Sequence, residues 1–367
     1  IMLMDYIEVV NVNVAGTLDA SAPTGGDGGF VETSAAHVKV AAGTKVTTKA
    51  ANGKTGKWLI DPNDFTIAAS GGDMTGADVS ATLNNTDFEI QTATMGTAGG
   101  NGDINVNDAV TWNAATTLTL NAERNININQ SITAQNTSGK LVLAYGQGAA
   151  NAGNTATYNV KAAVNLKAGD NFSTKLGSDG SLIQYKVITD LGSAGSVTGT
   201  DLQGINGNSN GNYVLGSDID ASTTASWNNA SGFKPIGVFG GVFDGLGHVV
   251  SGLTINRPTE SNIGLFGVTM NASIRNVGLV GGSIKGAGGV GALVGFMFNS
   301  TMANTYSTLA VTGETNVGGL VGYLNDGGSI NNAYATGAVR GINPTYGNKS
   351  TSVGRVVGSN PGDSSKA

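Results

Sequence analysis

Several residue types are missing or scarce in the sequence, and each absence excludes a class of protein. It has no cysteine, 6 prolines and 2 histidines among 367 residues, and only 12% of its residues are charged. Without cysteine there is no disulfide framework, and His37 and His248 lie outside any H-E-x-x-H pattern of a zinc peptidase. No apolar run reaches the roughly 18 residues that a membrane-spanning helix needs. We therefore expect no disulfide scaffold, zinc enzyme or membrane span.

The small number of charges also limits the expected partners. The net charge is −6, and the 19 lysine and arginine residues are scattered along the chain. Binding to a phosphate backbone needs a basic face, so nucleic acid is not expected as a main partner. The absence of cysteine does not assign a compartment, since a reducing cytosol and export of an unfolded chain are both compatible with it.

Glycine and short apolar runs are abundant. Glycine accounts for 58 residues and hydrophobic residues for 40% of the chain, which is enough for a large core. Val, Ile, Thr and Leu occur in short runs between turn residues, a pattern typical of short strands, and Ala81–Leu83 and Phe88–Ile90 are two such runs. No stretch keeps a 3.6-residue period, so we expect an all-β fold with almost no helix.

One short phrase recurs toward the end of the sequence. It reads IGLFG at 263–267, VGALVG at 290–295, VGGLVG at 317–322 and VGRVVG at 353–358. Between the copies, a second phrase repeats an apolar residue and an asparagine with a period of 28 residues, and Tyr306 and Tyr334 repeat with the same period. A fixed period of this size is typical of a solenoid, in which each repeat buries its apolar face only by stacking on its neighbours.

The repeat favours a right-handed parallel β-helix with coils of about 20–28 residues. At about 4.8 Å per coil, roughly 13–17 coils would give a rod on the order of 60–80 Å long. A β-propeller is excluded because its blades need about 40–45 residues. Equivalent residues would form two inward ladders and one ladder of amides at a bend: Ile274, Met302 and Ile330; Leu265, Leu293 and Leu320; Asn276, Asn304 and Asn332.

The glycines and the spacing of the phrases give two further expectations. The glycine of each G-L-x-G phrase fits a corner that needs either a positive φ or a close backbone approach. The gap from Gly322 to Gly358 is 36 residues, longer than the gaps between earlier copies. We assign the extra length to an outward loop at 341–351 and expect ligand contact there, because loops on a rigid scaffold often carry function.

Two groups of phrases resemble known families. GGFVETS (28–34), WLIDP (58–62) and TTLTLNAERNININQSI (116–132) resemble large exoproteins of two-partner secretion, the filamentous haemagglutinin-like and high-molecular-weight adhesins. The phrases at 263–358 resemble GLUG repeats, named for their G-L-x-G phrase. The resemblance implies a division into four parts: a haemagglutinin-like body at 1–180, lead-in coils at 181–262, GLUG coils at 263–358 and a tail at 359–367.

The resemblance also implies a function. The chain is expected to be a non-enzymatic stalk segment of a secreted, cell-surface bacterial exoprotein that presents loops for adhesion, without a cofactor. Its expected partners are an outer-membrane transporter during secretion and a host or matrix receptor or glycan. Two alternatives stay open: a filament subunit that stacks end to end, since open strand edges template further strands, and a polysaccharide-acting β-helix enzyme.

Only a few residues suggest chemistry. Asp218 and Asp220 lie on one outer face of a strand and are weak candidates for a metal site or a general acid, and Asp244 is a third carboxylate nearby. A solvated or structural role is the simpler interpretation of all three. Trp58 could stack on a sugar, but its place between a turn and Leu59 favours packing.

The sequence also contains eight sequons of the form N-x-S/T, which are potential glycosylation sites. In a chain rich in Asn and Thr, several such sequons arise by chance. Adhesins of the resembled family can carry glycans on such asparagines, which here are Asn84, Asn129, Asn136, Asn171, Asn229, Asn271, Asn299 and Asn348.

Overall fold

β-Strands dominate the computed structural model of the chain, which describes residues 11–92, 100–325, 327–342 and 352–360. Strands account for 48% and helices for 7%, so the expected all-β fold is confirmed. The strands wind into a β-solenoid of about 12 turns. The right-handed sense of the winding stays a prediction.

The chain divides into two compact units, Ile1–Gln184 and Tyr185–Ala367. The sequence analysis placed its first boundary after residue 180, and its four-part division stays a prediction. The strands up to the end of the first unit are β1 (Asn11–Val14), β2 (Thr17–Asp19), β3 (Phe30–Ser34), β4 (His37–Val40), β5 (Lys45–Thr47), β6 (Lys57–Asp61), β7 (Phe65–Ile67), β8 (Asp87–Thr92), β9 (Ile104–Val106), β10 (Val110–Trp112), β11 (Thr117–Ala122), β12 (Ile126–Ile128), β13 (Ile132–Ala134), β14 (Lys140–Tyr145), β15 (Tyr158–Val160), β16 (Val164–Asn165) and β17 (Gly169–Leu176).

Each strand of the first unit pairs in parallel with the equivalent strands of neighbouring coils. Two long runs, β3–β6–β8–β11–β14–β17 and β7–β9–β12–β15, are joined by the shorter runs β10–β13–β16, β1–β4 and β2–β5. Side chains alternate along each strand, so one face lines the interior. In β12, Ile126 and Ile128 are fully buried while Asn127 between them is partly exposed.

Large side chains fill the interior of the first unit. Trp58 and Phe88 are both buried, with ring centroids 4.9 Å apart. Trp58 Nε1 donates a hydrogen bond to Thr33 Oγ1 at 3.1 Å, which satisfies the one polar atom of the indole. Trp58 is therefore a packing residue and offers no surface to a sugar.

One α-helix lies where the sequence analysis expected a strand. Helix α1 (Gly76–Leu83) includes the run Ala81–Leu83, so the assignment of that run to a strand is wrong. Thr75 caps the helix, since its Oγ1 accepts a hydrogen bond from the backbone N–H of Asp78 at 3.1 Å. A threonine followed three residues later by an acidic residue is the sequence signal for this start.

The described residues of the second unit form nineteen strands, of which the first begins two residues before the boundary. They are β18 (Ile183–Ile188), β19 (Asn212–Leu215), β20 (Ile219–Asp220), β21 (Ile236–Phe239), β22 (Val242–Asp244), β23 (Val249–Asn256), β24 (Phe266–Met270), β25 (Ser273–Arg275), β26 (Gly278–Lys285), β27 (Gly288–Val290), β28 (Val294–Phe298), β29 (Thr301–Ser307), β30 (Ala310–Gly313), β31 (Thr315–Gly318), β32 (Val321–Leu324), β33 (Ser329–Ala335), β34 (Val339–Gly341), β35 (Val353–Gly354) and β36 (Val357–Ser359). Short helical turns occupy Gln203–Gly207, Ser222–Ser226 and Trp227–Ala230.

The second unit has four parallel runs of strands around one apolar core. They are β18–β19–β22–β25–β29–β33, β20–β23–β26–β30–β34, β21–β24–β28–β32–β36 and β27–β31–β35. Inside, the ring of Phe266 lies 4.8 Å from that of Phe239 and 5.3 Å from that of Phe243. Rings of two successive coils thus pack together in the interior.

Many coils have the expected length of 20–28 residues, and others are longer. In the first unit, paired residues of successive coils are 22 or 23 positions apart at Ile126, Ile132 and Leu141. In the second unit they are 27–31 positions apart, except in the last coil, where Val321 pairs with Val357. The solenoid has about 12 turns, just below the expected 13–17 coils. The longer coils hold four strands, such as β29 to β32, and each corner between the strands adds residues.

Candidate functional site

The candidate functional region of this chain is its outer surface. Among the described residues, no group of three or more His, Cys, Asp or Glu side chains is placed to hold a metal ion. Within the same residues, no helix is both long and apolar enough to cross a membrane. The geometry of the stacked coils and of the side chains on their outer faces therefore decides what the chain can do.

The two carboxylates that the sequence singled out bind backbone amides. Asp218 Oδ1 accepts a hydrogen bond from Val249 N at 3.0 Å and lies 3.1 Å from His248 Nδ1, while its side chain is 69% exposed. Asp220 Oδ1 accepts a hydrogen bond from Ser222 N at 2.9 Å, and the hydrogen bonds of Ser222 lower the pKa of Asp220. Each of the two carboxylates thus has a structural contact of its own with a backbone amide.

Asp244, the third carboxylate, is fully buried and neutralised within the coil stack. Its Oδ2 accepts a hydrogen bond from Arg275 Nε at 2.8 Å, and its Oδ1 accepts one from Leu246 N at 2.8 Å. A buried charge needs such partners, because a bare carboxylate would be strongly disfavoured in the interior. Asn276 is a further partner, since its Nδ2 donates to Asp244 Oδ1 at 3.0 Å.

A ladder of asparagine amides begins at this carboxylate and follows the axis of the coils. Asn304 Nδ2 donates to Asn276 Oδ1 at 3.0 Å, and Asn332 Nδ2 donates to Asn304 Oδ1 at 2.7 Å. These three residues have φ of 53°, 53° and 49°, the left-handed conformation that asparagine tolerates better than most residues. The structure therefore places the predicted asparagine ladder at a bend in each coil.

Two further columns of left-handed residues mark other bends in the second unit. Asn271 and Asn299 have φ of 55° and 41°, and Asn299 Nδ2 donates to Asn271 Oδ1. Asn262, Gly289 and Asn316 have φ of 59°, 59° and 52° at equivalent positions of successive coils. The sequence analysis did not identify these columns, although their asparagines recur at nearly the same period.

The predicted apolar ladders also lie in register. Met302 pairs with Ile274 on one side and with Ile330 on the other, and all except the partly exposed Ile330 are buried. The other ladder is fully buried and follows the G-L-x-G phrases: Leu265, Leu293 and Leu320. Its backbone is bonded from coil to coil, since Leu293 N donates to Leu320 O at 3.0 Å.

The glycines that close the G-L-x-G phrases are needed for close approach between coils. Gly295 and Gly322 both lack the positive φ that the sequence analysis considered as one possibility. A Cβ on Gly322 would clash with the backbone N of Val290, and one on Gly295 would clash with the backbone of Asn262. Close backbone contact is therefore the reason for these two glycines.

Aromatic side chains form two stacked pairs in the second unit, in which Tyr334 is exposed and Tyr306, Phe296 and Tyr323 are half-buried. Tyr306 and Tyr334 are stacked with ring centroids 5.3 Å apart and planes 9° apart. Phe296 and Tyr323, on a different run of strands, are stacked at 5.0 Å and 8°. The sequence analysis noted that the first pair repeats with the period, but it did not assign either pair to the surface.

The described sequons differ in how far the asparagine amide is available. Asn171 is buried, and its Nδ2 donates to three backbone carbonyls. Four others use Nδ2 as a donor to a neighbouring oxygen: Asn84, Asn129, Asn136 and Asn299. Asn271 and Asn229 are exposed, and among the described residues the Nδ2 atom of neither has an acceptor. Asn348 lies outside the described residues, as does most of the expected contact loop at 341–351.

The geometry defines a β-solenoid repeat protein, and comparisons with known proteins add two partial matches. Residues 313–340 match the family model described as Glug, the GLUG motif. The chain is also similar to a protein named Halomucin from Haloquadratum walsbyi (strain DSM 16790 / HBSQ001), with 40% identity over 149 residues. That match covers 38% of this chain and 2% of that protein. No solved structure matches the chain.

Replacement of Asn304 by alanine tests the asparagine ladder. The variant loses two hydrogen bonds and places alanine in the left-handed region, so we expect its free energy of unfolding to fall by about 2–3 kcal/mol. Asn304→Gly, which keeps the bend, should lose roughly half as much. Asn331→Ala, next to the ladder and exposed, should stay within about 0.5 kcal/mol of the parent. Urea unfolding followed by circular dichroism measures all three, and equal losses in Asn304→Ala and Asn331→Ala would contradict the ladder's role.

Selective glycosylation tests which asparagine side chains of the sequons are available in the folded chain. When the folded chain is incubated with an N-glycosyltransferase and its sugar donor, we expect glycan at Asn229 and Asn271 but not at Asn171. The heat-denatured chain is the matched control, in which Asn171 should become reactive. Peptide mass mapping measures the glycan at each site. Glycan at Asn171 in the folded chain would contradict the expected difference in availability.

Proposed function

We propose that this chain is a structural and adhesive segment of a secreted, cell-surface exoprotein, in which the coils form a stiff spacer and their outer faces make contacts. The observation that carries the proposal is the unbroken register of parallel pairing through the second unit, where three successive coils align Ile274, Met302 and Ile330. In such a stack every coil is fixed by its neighbours, so bending requires breaking several strand pairs at once.

The composition of the outer face supports a spacer that works in water. Outward positions are mostly amides and hydroxyls, and several form ladders that follow the strands. In the first unit, Asn127 Nδ2 donates to Asn105 Oδ1 and Asn159 Nδ2 donates to Asn127 Oδ1, both at 2.9 Å. Such ladders stabilise the stack without charge, which limits the effect of salt on it.

The proposed route to the surface is two-partner secretion through an outer-membrane transporter. Its support is the resemblance of GGFVETS (28–34) and WLIDP (58–62) to exoproteins of that pathway, together with the GLUG match at residues 313–340. A solenoid suits export of an unfolded chain, because coils can form one after another as the chain leaves a pore. A host or matrix receptor or glycan would then be the adhesive partner.

We also propose that the segment is not an enzyme. The support is the role of its three singled-out carboxylates: Asp218 and Asp220 bind backbone amides, and Asp244 is buried against Arg275. A glycosidase needs two carboxyl groups that flank a substrate, one of them free to give up a proton. The polysaccharide-acting alternative therefore has no specific observation in its favour.

Surface labelling of the source cells tests the proposed function. Antibodies raised against residues 185–342 should label intact cells or recover the antigen from the culture fluid, and external protease should remove the cell-bound signal. An antibody against a cytosolic protein is the matched control and should label only lysed cells. Antigen that is detected only after lysis would contradict the proposal.

A further inference from the structure

A column of five positions on the outer face of the second unit brings two tyrosines and a carboxylate together. Strand pairing aligns Val249 with Gly278, Gly278 with Tyr306, and Tyr306 with Tyr334. Asp218 continues the column, because the next residue, Ile219, pairs with Val250, and Val249 N donates to Asp218 Oδ1 at 3.0 Å. We call these five residues the tyrosine column.

The two rings form an accessible platform. Tyr334 is 55% exposed, and its ring is stacked on that of Tyr306 with planes only 9° apart. The ring of Tyr306 leans over Gly278, where a Cβ would clash with Cζ and the hydroxyl group. Glycine at this position thus allows the rings to lie against the sheet and expose ring surface to solvent.

Asp218 is held in place at the other end of the column. Its Oδ1 is fixed by Val249 N and by Nδ1 of His248, a side chain that is only 3% exposed. Asp218 itself is 69% exposed, and neither contact uses Oδ2. Burial raises the pKa of Tyr306, and the neighbouring Tyr334 and the charge of Asp218 raise it further, which agrees with their closeness.

These groups match the chemistry of a sugar. The C–H face of a hexose with equatorial hydroxyls can lie on the negative face of an aromatic ring, while its hydroxyls need fixed acceptors at the side. A carboxylate accepts two such hydrogen bonds but repels a sulfated or sialylated glycan. The other stacked pair, Phe296 and Tyr323, lies near the exposed apolar residues Met270 and Phe298 and offers no such acceptor among these four residues.

We propose that the tyrosine column binds an uncharged oligosaccharide that lies along the column, with one hexose ring on Tyr334 and the hydroxyl groups of another on Asp218. Four strand spacings of about 4.8 Å separate these two residues, so several sugar units are needed to reach both. The inference rests on the proposed function, since it names the ligand class for the adhesive face. It also differs from the expected contact loop at 341–351, because every group in it lies on a strand or at the start of one. Binding by strand residues keeps the groups in place without ordering a loop.

Titration of defined oligosaccharides into the whole chain tests this site. Cellotetraose and chitotetraose, which present equatorial substituents, are the probes, and isothermal titration calorimetry measures their dissociation constants. We expect at least one of them to bind and Tyr334→Ala to weaken that binding by about tenfold or more. Tyr334→Phe, which keeps the ring, should stay within about threefold of the parent.

Three controls distinguish specific binding at the tyrosine column from non-specific binding and from loss of folding. Asp218→Asn should weaken binding by about tenfold, and Phe298→Ala on the other face should leave it unchanged. A sulfated heparin tetrasaccharide should bind more weakly than the neutral probes. Thermal unfolding of each variant shows whether it is folded, and if Asp218→Asn unfolds, the two Tyr334 variants decide.

The inference is overturned if neither neutral probe binds at millimolar concentration, if Tyr334→Ala binds as tightly as the parent, or if the heparin probe binds more tightly. These outcomes are independent of the surface labelling described above. If the chain is found on the cell surface but binds neither probe, the proposed function stands and the saccharide site is refuted. If the chain binds the probes but is found only inside the cell, the saccharide site stands and the proposed function is refuted.

Discussion

Parallel hydrogen bonding between successive coils is the constraint on which the rest of this structure depends. Because the strands are parallel and in register, a residue always faces the equivalent residue of the next coil. Met302 therefore meets Ile274 and Ile330 inside, while Asn304 meets Asn276 and Asn332 at the bend. One geometric rule thus generates the core, the polar ladders and the aromatic pairs.

Much of the second unit could be predicted because repetition makes the register visible in the sequence. The 28-residue period identified the positions of Ile274, Met302 and Ile330 and the recurrence of Tyr306 and Tyr334. It could not show which way the tyrosines face. That depends on Gly278, an ordinary glycine in the sequence that matters because a neighbouring ring leans over it.

The features that escaped prediction depend on local chemistry or on contacts distant in sequence. Helix α1 follows from a cap at Thr75 inside a run that resembled strand by composition. The number of coils was overestimated because short apolar runs do not reveal how many strands one coil contains. For Asp244 the sequence favoured a solvated or a structural role without choosing between them, and the fold places Arg275 and Asn276 against it. Its structural role therefore needed the three-dimensional arrangement.

The register itself can be measured directly, since the native chain has no cysteine. Thr301 is paired with Ser329, both are exposed, and Asn331 lies two residues further along the same strand. Paired strands lie about 4.8 Å apart, within the range that a disulfide spans. Under mild oxidation, the Thr301→Cys/Ser329→Cys double variant should lose both free thiols, whereas Thr301→Cys/Asn331→Cys should keep them. Equal or faster crosslinking of the second variant would contradict the account.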